Sequence, residues 1–80
     1  MRVLLFGRLR DLAGWRERRL EPAPATISAL RDLIAQGNAA LAQALVGQGV
    51  QVAVDKVIVR GNALLAPEAE VAFLPPMSGG

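Results

Sequence analysis

The sequence contains no histidine, no cysteine and no tyrosine, and its only tryptophan is Trp15. Without His or Cys there is no Ser-His or Cys-His nucleophile, no imidazole general base and no His- or Cys-ligated metal. The absence of Cys also excludes disulfides, so a reducing, cytoplasmic setting is the expectation. With one Trp and no Tyr there is no aromatic platform for stacking single-stranded nucleic acid. Apolar runs stop well short of the roughly 20 residues a membrane span needs, and Met1-Arg2-Val3 leads straight into a strand pattern with no signal-peptide layout. The carboxylates Asp11, Glu17, Glu21, Asp32, Asp55, Glu68 and Glu70 fall mostly in expected turns or at exposed strand positions, where solvation accounts for them. The glycines at 7, 14, 47, 49 and 61 form neither a phosphate loop nor a dinucleotide fingerprint and read as turns and caps. The chain is therefore not expected to be an enzyme by itself, nor to bind a cofactor or metal.

What remains is a small, apolar chain. At 80 residues it makes one domain, and 52% hydrophobic residues suffice for an ordinary core. The formal net charge is +2, with the positive charge concentrated early, at Arg2, Arg8, Arg10, Arg16, Arg18 and Arg19. Such a cluster allows a basic face for RNA or an acidic protein as well as a solvated rim. The missing stacking platform favours the rim.

Residues 2 to 8 alternate, with Val3, Leu5 and Gly7 on one side and Leu4 and Phe6 on the other, as a strand requires. Asp11 to Gly14 reads as a tight connection or a single helical turn, and Arg16 to Glu21 as an edge strand completing a hairpin. After Pro22-Ala23-Pro24, Thr26 is a plausible N-cap for a helix carrying Ile27, Leu30, Leu33 and Ile34 on one face, with Gly37 as its stop. Asn38 to Val46 allows a second, short helix. Val50, Val52 and Val54 mark a third strand, Val57-Ile58-Val59 resumes it after Asp55-Lys56, and Glu70 to Leu74 is the last, ending at Pro75-Pro76.

This order predicts an α+β fold in which a mixed sheet has one main helix on one face. The strands at either end of the sequence can pair in the middle of the sheet, which is the β-grasp, ubiquitin-like plan; a split βαβ arrangement with an extra hairpin gives nearly the same string. If Val3, Leu5, Val50, Val52, Val54, Val71 and Phe73 face the helix, alternation turns Leu4, Phe6, Ala53 and Leu74 outward, and Ile58 joins them. An open face this apolar reads as a docking patch, unless segment 38 to 46 covers it.

The sequence ends Pro75-Pro76-Met77-Ser78-Gly79-Gly80. Two residues without Cβ can thread a narrow channel but are costly to order, which suggests that the terminal carboxylate of Gly80 is itself the functional group. The prolines stiffen the exit, and the four residues of the flexible tail 77 to 80 reach about 13 Å when extended, enough to enter a partner's cleft.

These residues carry a family resemblance. The ending Glu70-Val71-Ala72-Phe73-Leu74-Pro75-Pro76-Met77-Ser78-Gly79-Gly80 resembles that of the small subunit of molybdopterin synthase, as do Val3-Leu4-Leu5-Phe6-Gly7-Arg8-Leu9-Arg10-Asp11-Leu12-Ala13-Gly14, Thr26 to Ile34 and Val52-Ala53-Val54-Asp55. Met77 replaces the usual Val, and Asp55 stands where Asn is common. The resemblance implies a sulfur carrier of molybdenum cofactor biosynthesis: a partner adenylating enzyme uses ATP to activate the Gly80 carboxylate, and sulfur is installed as a thiocarboxylate. The large synthase subunit, in a heterotetramer, then receives that sulfur for cyclic pyranopterin monophosphate. It further implies that Phe6, Ile58 and Leu74, with Pro75, Pro76, Met77 and Ser78, contact the partners while Gly79 supplies a slim neighbour for Gly80. Sulfur carriers of thiazole synthesis or tRNA thiolation, a ubiquitin-like protein modifier and a basic RNA-binding module are the alternatives.

Overall fold

A computed structural model of the chain describes residues 1–76. Five strands, β1 (Arg2–Leu5), β2 (Glu17–Arg19), β3 (Gln51–Val54), β4 (Val57–Val59) and β5 (Glu70–Leu74), form one sheet in the order β2-β1-β5-β3-β4. β1 and β5 run parallel at its centre, and the other neighbours are antiparallel. This is the β-grasp plan rather than the split βαβ alternative.

The helices are α1 (Gly7–Ala13), α2 (Ile27–Ile34) and α3 (Ala39–Leu45). α2 is the expected main helix: Thr26 Oγ1 accepts the Ala29 N–H at 3.1 Å, and Ile27, Leu30 and Ile34 are buried, while Leu33, expected on the same face, is exposed. Segment 38 to 46 is helical as well, because Asn38 Oδ1 accepts the Leu41 N–H while its Nδ2 donates to Leu12 O, both at 3.0 Å. One side chain thus starts α3 and ties it to the end of α1. Leu41 and Leu45 join the same apolar core as Val3, Leu5, Val71 and Phe73, so α3 lies on the helix-covered face and leaves the outward patch open.

The opening hairpin needs correction. β1 ends at Leu5, and Gly7 and Arg8 belong to α1, a seven-residue helix where a turn at Asp11 to Gly14 was expected. Alternation could not separate the two, because Phe6 is still extended (φ −123°) and only Gly7 turns, at φ 56°. The overlooked signal is the i, i+3, i+4 spacing of Leu9, Leu12 and Ala13, all packed in or against the core. Leu64 makes a single antiparallel bridge, to Thr26.

Asp55 and Lys56 form a two-residue turn between Val54 and Val57, with φ of 50° and 71°, the positive pair that a type I′ hairpin demands. Asp55 Oδ1 also accepts the Glu70 N–H at 3.0 Å, locking the turn to the start of β5.

Candidate functional site: the open sheet face and the exit of the central strand

Alternation and register together build the open face. Leu4 on β1 lies opposite Ala72 on β5, Ala72 opposite Ala53 on β3, and Ala53 opposite Ile58 on β4. Opposed residues share a face, so these four make one apolar row across the sheet. The alanines are its floor: Ala53, though only 9% exposed, is not part of the core beneath the helices. Leu74 stands one step further along the same face of β5, half-buried, opposite Gln51. Phe6 and Ile58 are each 45% exposed. Phe6 and Leu4 line one shallow pocket together with Arg10, Arg16 and Glu17, so the patch has a basic rim on its β1 side.

At the end of the face furthest from the exit of β5 stand Arg2 and Glu70, with Glu17 reaching toward them from beside Leu4. Arg2 donates through Nη1 to Glu70 Oε2 at 2.7 Å and through Nη2 to Glu17 Oε1 at 3.0 Å, linking β1 to both of its neighbours. The hydrogen bond from Arg2 is the main reason the Glu17 carboxyl titrates below its ordinary range. The Arg2 guanidinium, raised chiefly by its hydrogen bond to Glu17, stays charged throughout.

β5 is the middle strand and leads directly into Pro75 and Pro76, the first half-buried and the second exposed. Pro75 packs against Gly7 and Pro76 against Gly49, two contacts between the exit and residues that the sequence presents only as turns. The expected site residues Met77, Ser78, Gly79 and Gly80 lie outside the described residues. Among the described residues no polar or charged side chain is buried, and no group of His, Cys, Asp or Glu is placed to hold a metal ion. No helix among them is long and apolar enough to cross a membrane.

The fold is that of a ubiquitin-like β-grasp protein with an open apolar sheet face. The chain belongs to the ThiS family, whose model matches residues 3–80. Among solved structures, SAMP1 from Haloferax volcanii shares 26% identity at a TM-score of 0.83, covering 100% of this chain and 98% of its own. A protein from Pyrococcus furiosus provisionally named molybdopterin converting factor, subunit 1, shares 28% at a TM-score of 0.77, with 95% of each chain covered. Small archaeal modifier protein 1 from Methanosarcina acetivorans, 22% identical, has the same fold at a TM-score of 0.84, covering 99% of this chain and 94% of its own. No curated protein matches the chain by sequence.

Proposed function

We propose that this protein is the sulfur carrier of molybdopterin synthesis and that Gly80 carries the sulfur. The observation that supports this most is the course of β5: the central strand runs beside the Phe6, Ile58 and Leu74 patch and continues through Pro75-Pro76 into Met77-Ser78-Gly79-Gly80. A partner gripping the patch is then in reach of the terminal carboxylate. The similarity to the Pyrococcus furiosus protein agrees with a molybdopterin assignment and with a large partner subunit.

A carboxylate is ionised at neutral pH and is a poor acyl donor. The adenylating partner overcomes this by letting a Gly80 oxygen attack the α-phosphorus of ATP, releasing pyrophosphate and leaving an acyl-adenylate. Hydrosulfide from the sulfur source then attacks the acyl carbon and AMP departs, giving the thiocarboxylic acid, which loses its proton to become the thiocarboxylate. In the large subunit that sulfur is transferred to cyclic pyranopterin monophosphate. The role of this chain is to dock and to deliver; the acid, base and nucleophile belong to its partners.

Intact mass after incubation with ATP, a cognate adenylating enzyme and a sulfur source tests the reading: one oxygen should be exchanged for sulfur, and a variant with one residue added after Gly80 should fold normally and remain unmodified. An unmodified wild type beside a competent enzyme overturns it. Rescue of a molybdoenzyme in a carrier-deficient strain separates this role from thiazole or tRNA thiolation. The likeness to SAMP1, a small archaeal modifier protein, favours protein conjugation as a second reading; its signature is an isopeptide between Gly80 and a lysine, found by mass spectrometry of higher-mass adducts.

A further inference from the structure

Among the described residues five glycines have positive φ, and at Gly14, Gly37 and Gly61 the place where a Cβ would stand is empty, so turn geometry alone accounts for them. Gly7 and Gly49 differ. A Cβ on Gly7 (φ 56°) would come within 2.8 Å of Pro75 Cγ, and one on Gly49 (φ 86°) within 2.7 Å of Pro76 Cβ. Real Cβ atoms do not approach so closely, so something must move. The two glycines come from separate parts of the chain, the first residue of α1 and the loop before β3, yet they close on consecutive residues after β5. A flexible side chain could swing aside, but a proline ring is fused to its own backbone, so displacing the ring displaces the chain.

We propose that Gly7 and Gly49 are positioning residues, a two-sided seat that fixes Pro75 and Pro76 and thereby sets the angle at which the chain leaves the sheet beside the Phe6 and Leu74 patch. The proposal rests on the reading that Gly80 reacts inside a partner. Four extended residues span about 13 Å, so a tilt of about 15° at Pro76 carries their far end about 3 Å off line. A misplacement of about 1 Å can cost a reaction about 100-fold. The seat therefore acts on delivery, while the patch acts on docking.

The test compares Gly7→Ala and Gly49→Ala with Gly14→Ala and Gly61→Ala, which carry the same left-handed penalty without a neighbour to strike. All four should lose thermal stability, Gly7→Ala and Gly49→Ala by more, because the clash with Pro75 or Pro76 adds to the left-handed penalty. Only the first two should lower kcat for thiocarboxylate formation, by about tenfold or more, with KM for the carrier changed by less than about threefold because the patch is intact. In a Pro75→Ala background, Gly7→Ala should cost little, and in a Pro76→Gly background the same should hold for Gly49→Ala, since the struck atoms are gone. Gly7 and Gly49 variants that match the Gly14 and Gly61 controls in kcat overturn the seat. So does a kcat loss that persists undiminished when the prolines are replaced. If wild type forms no thiocarboxylate, the reading of Gly80 fails instead, and NMR of the free protein judges the seat: Gly7 Hα to Pro75 ring contacts in wild type, with Pro75 and Pro76 Cα–Hα dipolar couplings altered by Gly7→Ala and unaltered by Gly14→Ala, support it, and unaltered couplings in both overturn it.

Discussion

The two faces of the sheet are built from the same strands and do opposite work. On the covered face Val3, Leu5, Val71 and Phe73 are at most 2% exposed, pressed under α1, α2 and α3. On the other, residues one step along the same strands make a row of Leu4, Ala72, Ala53 and Ile58 with nothing described above it. An antiparallel sheet with one solvated face ordinarily turns polar residues outward. Here polar side chains only border the apolar row: Arg2, Glu17 and Glu70 are linked, with Glu17 opposite Leu4, and Gln51 stands opposite Leu74. Leu74 lies at the exit of β5, and Arg2 and Glu70 stand at the other end of their strands. Hydrophobicity on the covered face stabilises the fold, and on the open face it is available for the docking proposed above.

Phe73→Ala should break the covered face and give the largest effect. Truncating a fully buried Phe costs about 3–5 kcal/mol, a large part of the roughly 5–15 kcal/mol that separates folded from unfolded small domains. Phe6→Ala, on a side chain 45% exposed, should cost about 1 kcal/mol or less. Urea unfolding of both variants checks the contrast. Equal losses would mean that Phe6 belongs to the core and that the two faces are not divided as described.

The next effect sharpens the open face. Phe6→Ala and Leu74→Ala should each weaken binding to the large subunit by about 30-fold, the equivalent of about 2 kcal/mol for a central interface anchor. Titration calorimetry on the folded variants measures it. Affinities unchanged by both substitutions would remove the patch from the interface and leave its exposure without a purpose.

The division of faces was legible because a strand has period two: the valines of β3 and the Val71, Phe73 pair of β5 announce one side and thereby assign Leu4, Ala53 and Leu74 to the other. The helix α2 was legible from Thr26 and its apolar spacing. What escaped is what depends on contacts between distant residues. Asn38 reaching Leu12, and Asn62 Oδ1 accepting the Ser28 N–H at 2.7 Å, leave no local pattern. Nor do Gly7 and Gly49, whose meaning appears only when Pro75 and Pro76 are beside them. The start of α1 was lost for a local reason instead, since one extended Phe6 and a glycine imitate two more residues of strand.

The smallest effect belongs to the ionic end. Glu17 is held below its ordinary pKa mainly by the hydrogen bond from Arg2, so its ionised form is favoured by folding. The sign follows: a depressed carboxyl adds stability above its unfolded pKa, and that contribution is lost as pH falls through the folded one. Arg2, shifted upward, stays charged over this range and does not alter the profile. Both side chains are more than two-fifths exposed, and Arg2 keeps Glu70 when Glu17 is gone, so solvent screening leaves the contribution slight. Glu17→Gln should therefore melt slightly below wild type at neutral pH, the gap closing once the solution is acidified beneath the usual carboxylate range of about 4 and shrinking in added salt. Glu17 lines the same pocket as Leu4 and Phe6 but offers no apolar anchor, so the same variant should weaken binding to the large subunit far less than Phe6→Ala does. A loss of affinity comparable to that of Phe6→Ala would extend the docking surface over the whole open face and end the distinction between its two halves.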